Sequence, residues 1–161
     1  MRGYRDIMRL LLGRGVDVDA QDKCYETPLH ASSHYRKREP AQLLLEWGAN
    51  IQARNHRGKT PLHFASQIGH CDVIGLLLDK GAEVDVQDKY HFTPLHEASR
   101  HGDLKATRLL LQRGANVRAR TVFGTTPLWH AENQSMKRLL SDHMRSNEQR
   151  NTFSFFLRLF K

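Results

Sequence analysis

The chain has 161 residues and a formal charge of +8, from 25 basic against 17 acidic side chains. That length suits one domain, and the charge favours acidic partners while permitting adhesion to nucleic acid or anionic lipid. Nothing in it argues for a secreted or membrane-spanning protein: Met1 to Gly15 has no apolar run before a small-residue cleavage site, and Cys24 and Cys71 lie 47 residues apart at unrelated positions, so a disulfide is not expected and a reducing cytoplasmic or nuclear setting is.

Two short elements recur at a fixed step of 33 residues. Thr-Pro-Leu-His stands at Thr27–His30, Thr60–His63 and Thr93–His96, with an altered copy at Thr126-Pro127-Leu128-Trp129. Leu-Leu-Leu stands at Leu10–Leu12, Leu43–Leu45, Leu76–Leu78 and Leu109–Leu111. A fixed step of this length signals a stacked array in which each unit packs on its neighbours. Arrays usually present a surface rather than enclose a reaction chamber.

The elements follow in chain order. The first unit supplies only a second helix, about Tyr4 to Gly13, and Ile7, Leu10 and Leu11 lack the partner helix that later units have. This suggests a piece of a longer array. In each later unit, Thr reads as an N-cap and the following Pro as the first helical residue. Small residues after them, such as Ala65, Ser66, Ala98 and Ser99, leave room for a neighbouring helix. The second helix carries an apolar stripe, for example Val73, Ile74, Leu76 and Leu77. Gly15, Gly48, Gly81 and Gly114 then stand where a left-handed residue ends it. In unit two, Arg36 replaces the inter-helix Gly, and Pro40 pushes the helix start to about Glu39. Tyr25 and His91 occupy the loop position held by Gly58 and Gly124 elsewhere, so those loops need another turn or accept strain. Unit five loses about three residues after Ala131 and reads as a cap or a decaying repeat.

This pattern resembles the ankyrin-repeat family. The residues that carry the likeness are Asn55-x-x-Gly58-x-Thr60-Pro61-Leu62-His63-Phe64-Ala65, Gly69-His70 and Leu76-Leu77-Leu78-x-x-Gly81-Ala82, and the likeness covers about Met1 to Ser141. It implies an all-α repeat solenoid of stacked helix-turn-helix units joined by β-hairpin loops. The array spans 1–143, with units at about 1–21 (partial), 22–54, 55–87, 88–120 and 121–143 (degenerate), and 144–161 forms a polar linker with a Phe/Leu-rich tail. Periodicity leaves that tail open between helix and strand. Tail residues Asn151–Lys161 could cover the last repeat or dock elsewhere. The likeness also makes Thr27, Pro28, His30, Thr60, Pro61, His63, Thr93, Pro94, His96, Thr126 and Pro127 structural, the histidines bracing hairpin and helix start through hydrogen bonds.

Ten histidines invite a metal reading, but His96 and His101 are five apart rather than the four that would align them on one helix face. No Cys-x-x-Cys pair, phosphate loop or nucleophile with a placed base is visible. The chain therefore reads as non-catalytic and without a cofactor. In the family, partners meet the hairpin tips and the exposed side of the first helices. By register, those positions here include Lys23, Tyr35, His56, Arg57, Lys59, Lys89, Tyr90, Phe92, Arg100, His101 and Phe123. Bases and exposed aromatic rings dominate this stripe, the composition of contact sites. Glu97, on its inner side, could select a basic residue of a partner. The expected partner is another protein with an acidic or mixed surface, bound by a monomer or by part of a longer array. The competing reading is a basic surface for nucleic acid or anionic membrane, although no nucleic-acid recognition motif is present.

Overall fold

Threonine and proline set the start of every first helix. Thr27, Thr60, Thr93 and Thr126 hold extended backbone at the N-cap, and Pro28, Pro61, Pro94 and Pro127 follow where a missing N–H costs nothing. The computed structural model describes residues 2–35 and 38–159, with side chains over the same ranges apart from 2–5, 147, 148 and 150–159. Its helices are α1 (Arg2–Gly13), α2 (Pro28–His34), α3 (Arg38–Glu46), α4 (Pro61–Ile68), α5 (Cys71–Asp79), α6 (Pro94–Arg100), α7 (Leu104–Gln112), α8 (Pro127–His130) and α9 (Gln134–Leu159).

The helices form two layers. First helices α2, α4, α6 and α8 pack side by side, second helices α1, α3, α5, α7 and α9 do the same, and α2 on α3, α4 on α5, α6 on α7 and α8 on α9 join the layers. The fold is thus the all-α repeat solenoid that the step of 33 predicts. Leu29, Leu62 and Leu95 of the first layer are buried against Leu44, Leu77 and Leu110 of the second. Ala65, Ser66, Ala98 and Ser99 are fully buried, and their small size permits the close approach of neighbouring first helices. Gly15, Gly48, Gly81 and Gly114 all have positive φ and end their second helices as expected.

The loops between units turn back on themselves as hairpin-like tips. Among the described residues there is no strand, and the tips are tight turns. Each turn is closed by two backbone bonds: Asp22 N–H to Glu26 O, Asn55 to Lys59, Asp88 to Phe92 and Thr121 to Thr125 at 3.0–3.1 Å, and Tyr25 N–H to Asp22 O, Gly58 to Asn55, His91 to Asp88 and Gly124 to Thr121 at 2.8–3.0 Å. Tyr25 and His91 adopt φ of 60° and 61°, close to the 76° and 74° of Gly58 and Gly124. These two units keep the same turn and accept the strain.

The ends depart from the middle. Leu10 is 55% exposed, whereas its counterpart one step later, Leu43, is 2% exposed, because among the described residues no helix pair precedes α1 to cover it. At the other end α8 has only four residues. Met136 and Leu140 of α9 are nevertheless fully buried, so the start of α9 closes the core as a second helix would. The backbone of α9 continues without a break past Met144, so the stretch read as a polar linker is helical, and so is the tail as far as Leu159. The side chains of the Phe/Leu-rich tail, and Phe160 and Lys161 altogether, lie outside the described residues, as does Arg36.

Candidate functional site

Each tip is built around one polar side chain at its base. Asp22 Oδ1 accepts the N–H groups of Cys24 and Glu26, Asn55 Oδ1 those of Arg57 and Lys59, and Asp88 Oδ1 those of Tyr90 and Phe92, all at 2.8–3.0 Å. Thr121 Oγ1 does the same for Phe123 and Thr125 at 3.2 and 3.3 Å. Short polar side chains favour such turns because they can stand in for a backbone acceptor. Tips are also tied to one another. His56 N–H donates to Cys24 O, Lys89 N–H to Arg57 O and Val122 N–H to Tyr90 O, at 2.9–3.0 Å.

The repeat histidines connect tips to helices. Nδ1 of His30, His63 and His96 accepts the N–H of its own Thr27, Thr60 or Thr93 at 3.1 Å. With Nδ1 an acceptor, the proton sits on Nε2. Nε2 then donates to a carbonyl of the next tip: Lys59 at 3.0 Å, Phe92 at 2.9 Å and Thr125 at 3.4 Å. Burial disfavours the charged ring and lowers the pKa of His30, and takes those of His63 and His96 to about 4. The structural role assigned to these histidines thus has a definite geometry. Unit five lacks it. Trp129 replaces the histidine and is 70% exposed, while His130 Nε2 meets Thr125 Oγ1 at 2.9 Å instead.

Most of the residues expected at the surface are brought together there. Lys23, His56, Arg57, Lys89, Tyr90 and Phe123 are exposed along the tips, and Tyr35, Arg100 and His101 are exposed at the ends of first helices. Tyr90 and Phe123, one step apart, stack with ring centroids 6.5 Å apart and planes 19° from parallel. They are 52% and 72% exposed, so this stack covers no core.

Three expectations need correction. Lys59 is not a free tip base: its ammonium lies 2.8 Å from Glu97 Oε1, and its side chain is only 15% exposed. Glu97, expected to receive a partner's base, is 2% exposed and already holds Lys59. Phe92 is half-buried, with its ring against His96 and His130 at 5.4 and 4.9 Å, so it backs the surface rather than projecting from it. Trp129 and Tyr25 are exposed aromatics that the register argument left out. The signal for Trp129 was present, since a loss of residues after Ala131 shortens the helix that would have buried that position.

Among the described residues no group of three or more His, Cys, Asp or Glu is placed to hold a metal ion. His96 faces Thr93 and Thr125, whereas His101 Nε2 lies 3.8 Å from Glu97 Oε2, so the two rings share no site. Cys24 is exposed and Cys71 half-buried, both as free thiols. Burial, then the nearby carboxylates of Asp103 and Asp72, raises the pKa of Cys71, the opposite of an activated nucleophile. Among the described residues no helix is long and apolar enough to cross a membrane.

A two-layered stack of helix pairs with projecting, mutually bonded tips defines the class: a repeat solenoid that offers an extended surface. Comparison with known families matches ankyrin repeats (3 copies) over residues 1–88 and ankyrin repeats (many copies) over residues 69–111. The chain belongs to the ankyrin-repeat family. Ankyrin repeats are generally protein–protein interaction modules, and the family is typically non-catalytic. No curated protein matches the chain.

Proposed function

We propose that this chain is a non-catalytic interaction module that holds an acidic or mixed surface of another protein along its tips and the exposed ends of its first helices. The Tyr90–Phe123 stack, exposed beside Arg57 and Lys89, carries this reading. Exposed aromatic rings cost solvation free energy, and Tyr and Arg concentrate binding energy where they meet a partner. Lys23, His56, Tyr35, Arg100 and His101 extend the surface on either side. Lys59 and Phe92 support it from below.

Affinity capture from the native cell tests the proposal. A chain carrying Arg57→Glu, Lys89→Glu and Tyr90→Ala should lose its partner and keep its helical circular dichroism. Unchanged capture would refute the surface. Captured complexes should also persist as salt is raised, because buried aromatic contacts are not screened. Exposed charge pairs with an acidic protein surface are screened in part, whereas a steep loss of binding together with competition by added single-stranded nucleic acid would instead mark a phosphate ligand.

A further inference from the structure

The ridge of tips changes character along its length. The two leading positions of each tip hold Lys23 and Cys24 in unit two, His56 and Arg57 in unit three, Lys89 and Tyr90 in unit four, and Val122 and Phe123 in unit five. Bases occupy the first three tips, exposed apolar groups occupy the last two, and the tip of unit four carries one of each. No acid stands at these positions. The carboxylates beside them are already engaged: Asp22 and Asp88 each turn Oδ1 inward onto two backbone N–H groups, and Glu26 Oε1 accepts from Asn55 Nδ2. Backbone bonds between tips hold this order in place.

We infer that the ridge takes an extended acidic peptide segment that ends in a bulky apolar residue, its acids over Lys23, Arg57 and Lys89 and its apolar end on Tyr90 and Phe123. The inference rests on the protein-interaction reading and specifies its ligand. Charge complementarity selects the acids, and the exposed ring stack selects the apolar end. Neighbouring helices pack about 8–10 Å apart, which sets the spacing of the tips. An extended chain of the polyproline II kind advances about 3.1 Å per residue with about three residues per turn, so acids three apart share a face and meet successive tips. A ridge two side chains wide also suits an extended chain better than a cylinder about 10–12 Å across.

Selection of a displayed library of random twelve-residue peptides on the whole chain tests this. The expected winners carry acids at a spacing of about three, followed at one end by Trp, Phe or Leu. Arg57→Glu and Phe123→Ser should each weaken a winning peptide about tenfold, a change of about 1.4 kcal/mol, without lowering the melting temperature. Winners that depend on both residues but mix acids and apolar groups without order, or space the acids about seven apart as a helix would, overturn the acidic-to-apolar segment and leave the interaction surface standing. Winners that the double variant binds equally well, or a library that yields none, overturn both.

Discussion

Lys59 and Glu97 join two neighbouring units through a 2.8 Å contact between Nζ and Oε1, with the Glu97 side chain 2% exposed. The pair lies just beneath the ridge and links the tip of unit three to the first helix of unit four. Removing one partner leaves the other charge buried and unpaired, which costs about 3 kcal/mol or more. Lys59→Ala should therefore destabilise the chain by about that amount in urea melts. Lys59→Met with Glu97→Leu should recover most of the loss, because replacing both charges by apolar groups is often neutral. A single substitution without effect would show that the pair is not formed in solution.

The histidine relay predicts a pH dependence. His63 and His96 titrate at about 4 in the folded chain, against an ordinary value of 6.5. Between these values the unfolded chain binds protons that the folded chain does not. Stability is therefore fully present above about pH 6.5 and falls as the pH drops towards 4. For the fully buried His63 the loss reaches roughly 3 kcal/mol at the low end. Urea midpoints measured between pH 7.5 and 5, before most carboxylates titrate, should decline, and His63→Gln should flatten the slope. A level profile in the wild type would contradict the relay.

Tyr25 and His91 hold left-handed backbone at turns where the equivalent residues are Gly58 and Gly124. A side chain there meets steric strain that glycine avoids. Tyr25→Gly and His91→Gly should each raise stability by about 0.5–1 kcal/mol, the gain being limited by the greater freedom of glycine in the unfolded chain. Thermal melts of the two variants check this, and a drop in both would mean that these side chains have a packing role outweighing the strain.

The C-terminal end makes its own prediction. Met136 and Leu140 of α9 are fully buried on the last repeat. Leu140→Ala should cost about 2–5 kcal/mol, the usual range for a core leucine. A near-neutral result in chemical denaturation would place α9 off the array.

The periodic part of this fold was legible because residues one step apart do the same job. Thr60, Pro61, His63 and Gly81 each have counterparts in other units, and each serves as its position predicts. The Lys59–Glu97 pair escaped the register argument because it does not repeat. The positions matching Lys59 hold Glu26, Phe92 and Thr125, and the position matching Glu97 in unit three is Phe64. Only one neighbouring pair of units places long opposite charges there. Trp129 was misplaced for the opposite reason, although the residues lost after Ala131 signalled it. Register assigned it to the buried histidine position, but a helix of four residues cannot cover an indole. The absence of strands between units, among the described residues, is a matter of length, since the backbone bonds that close each loop fall within the five residues of its tip. The ridge itself was readable, because exposure at a tip follows from the turn and not from packing.

The claim that partners meet the tips is tested most directly by photo-crosslinking from defined positions in the native cell extract. A photoreactive phenylalanine analogue would be placed at Tyr90 or Phe123 on the ridge, and at Lys80 or Gln112 on exposed ends of second helices. The account predicts a shared protein adduct from Tyr90 and Phe123 and none from Lys80 and Gln112. Adducts from Lys80 and Gln112 alone would contradict it, and would move the binding surface to the other layer of the array.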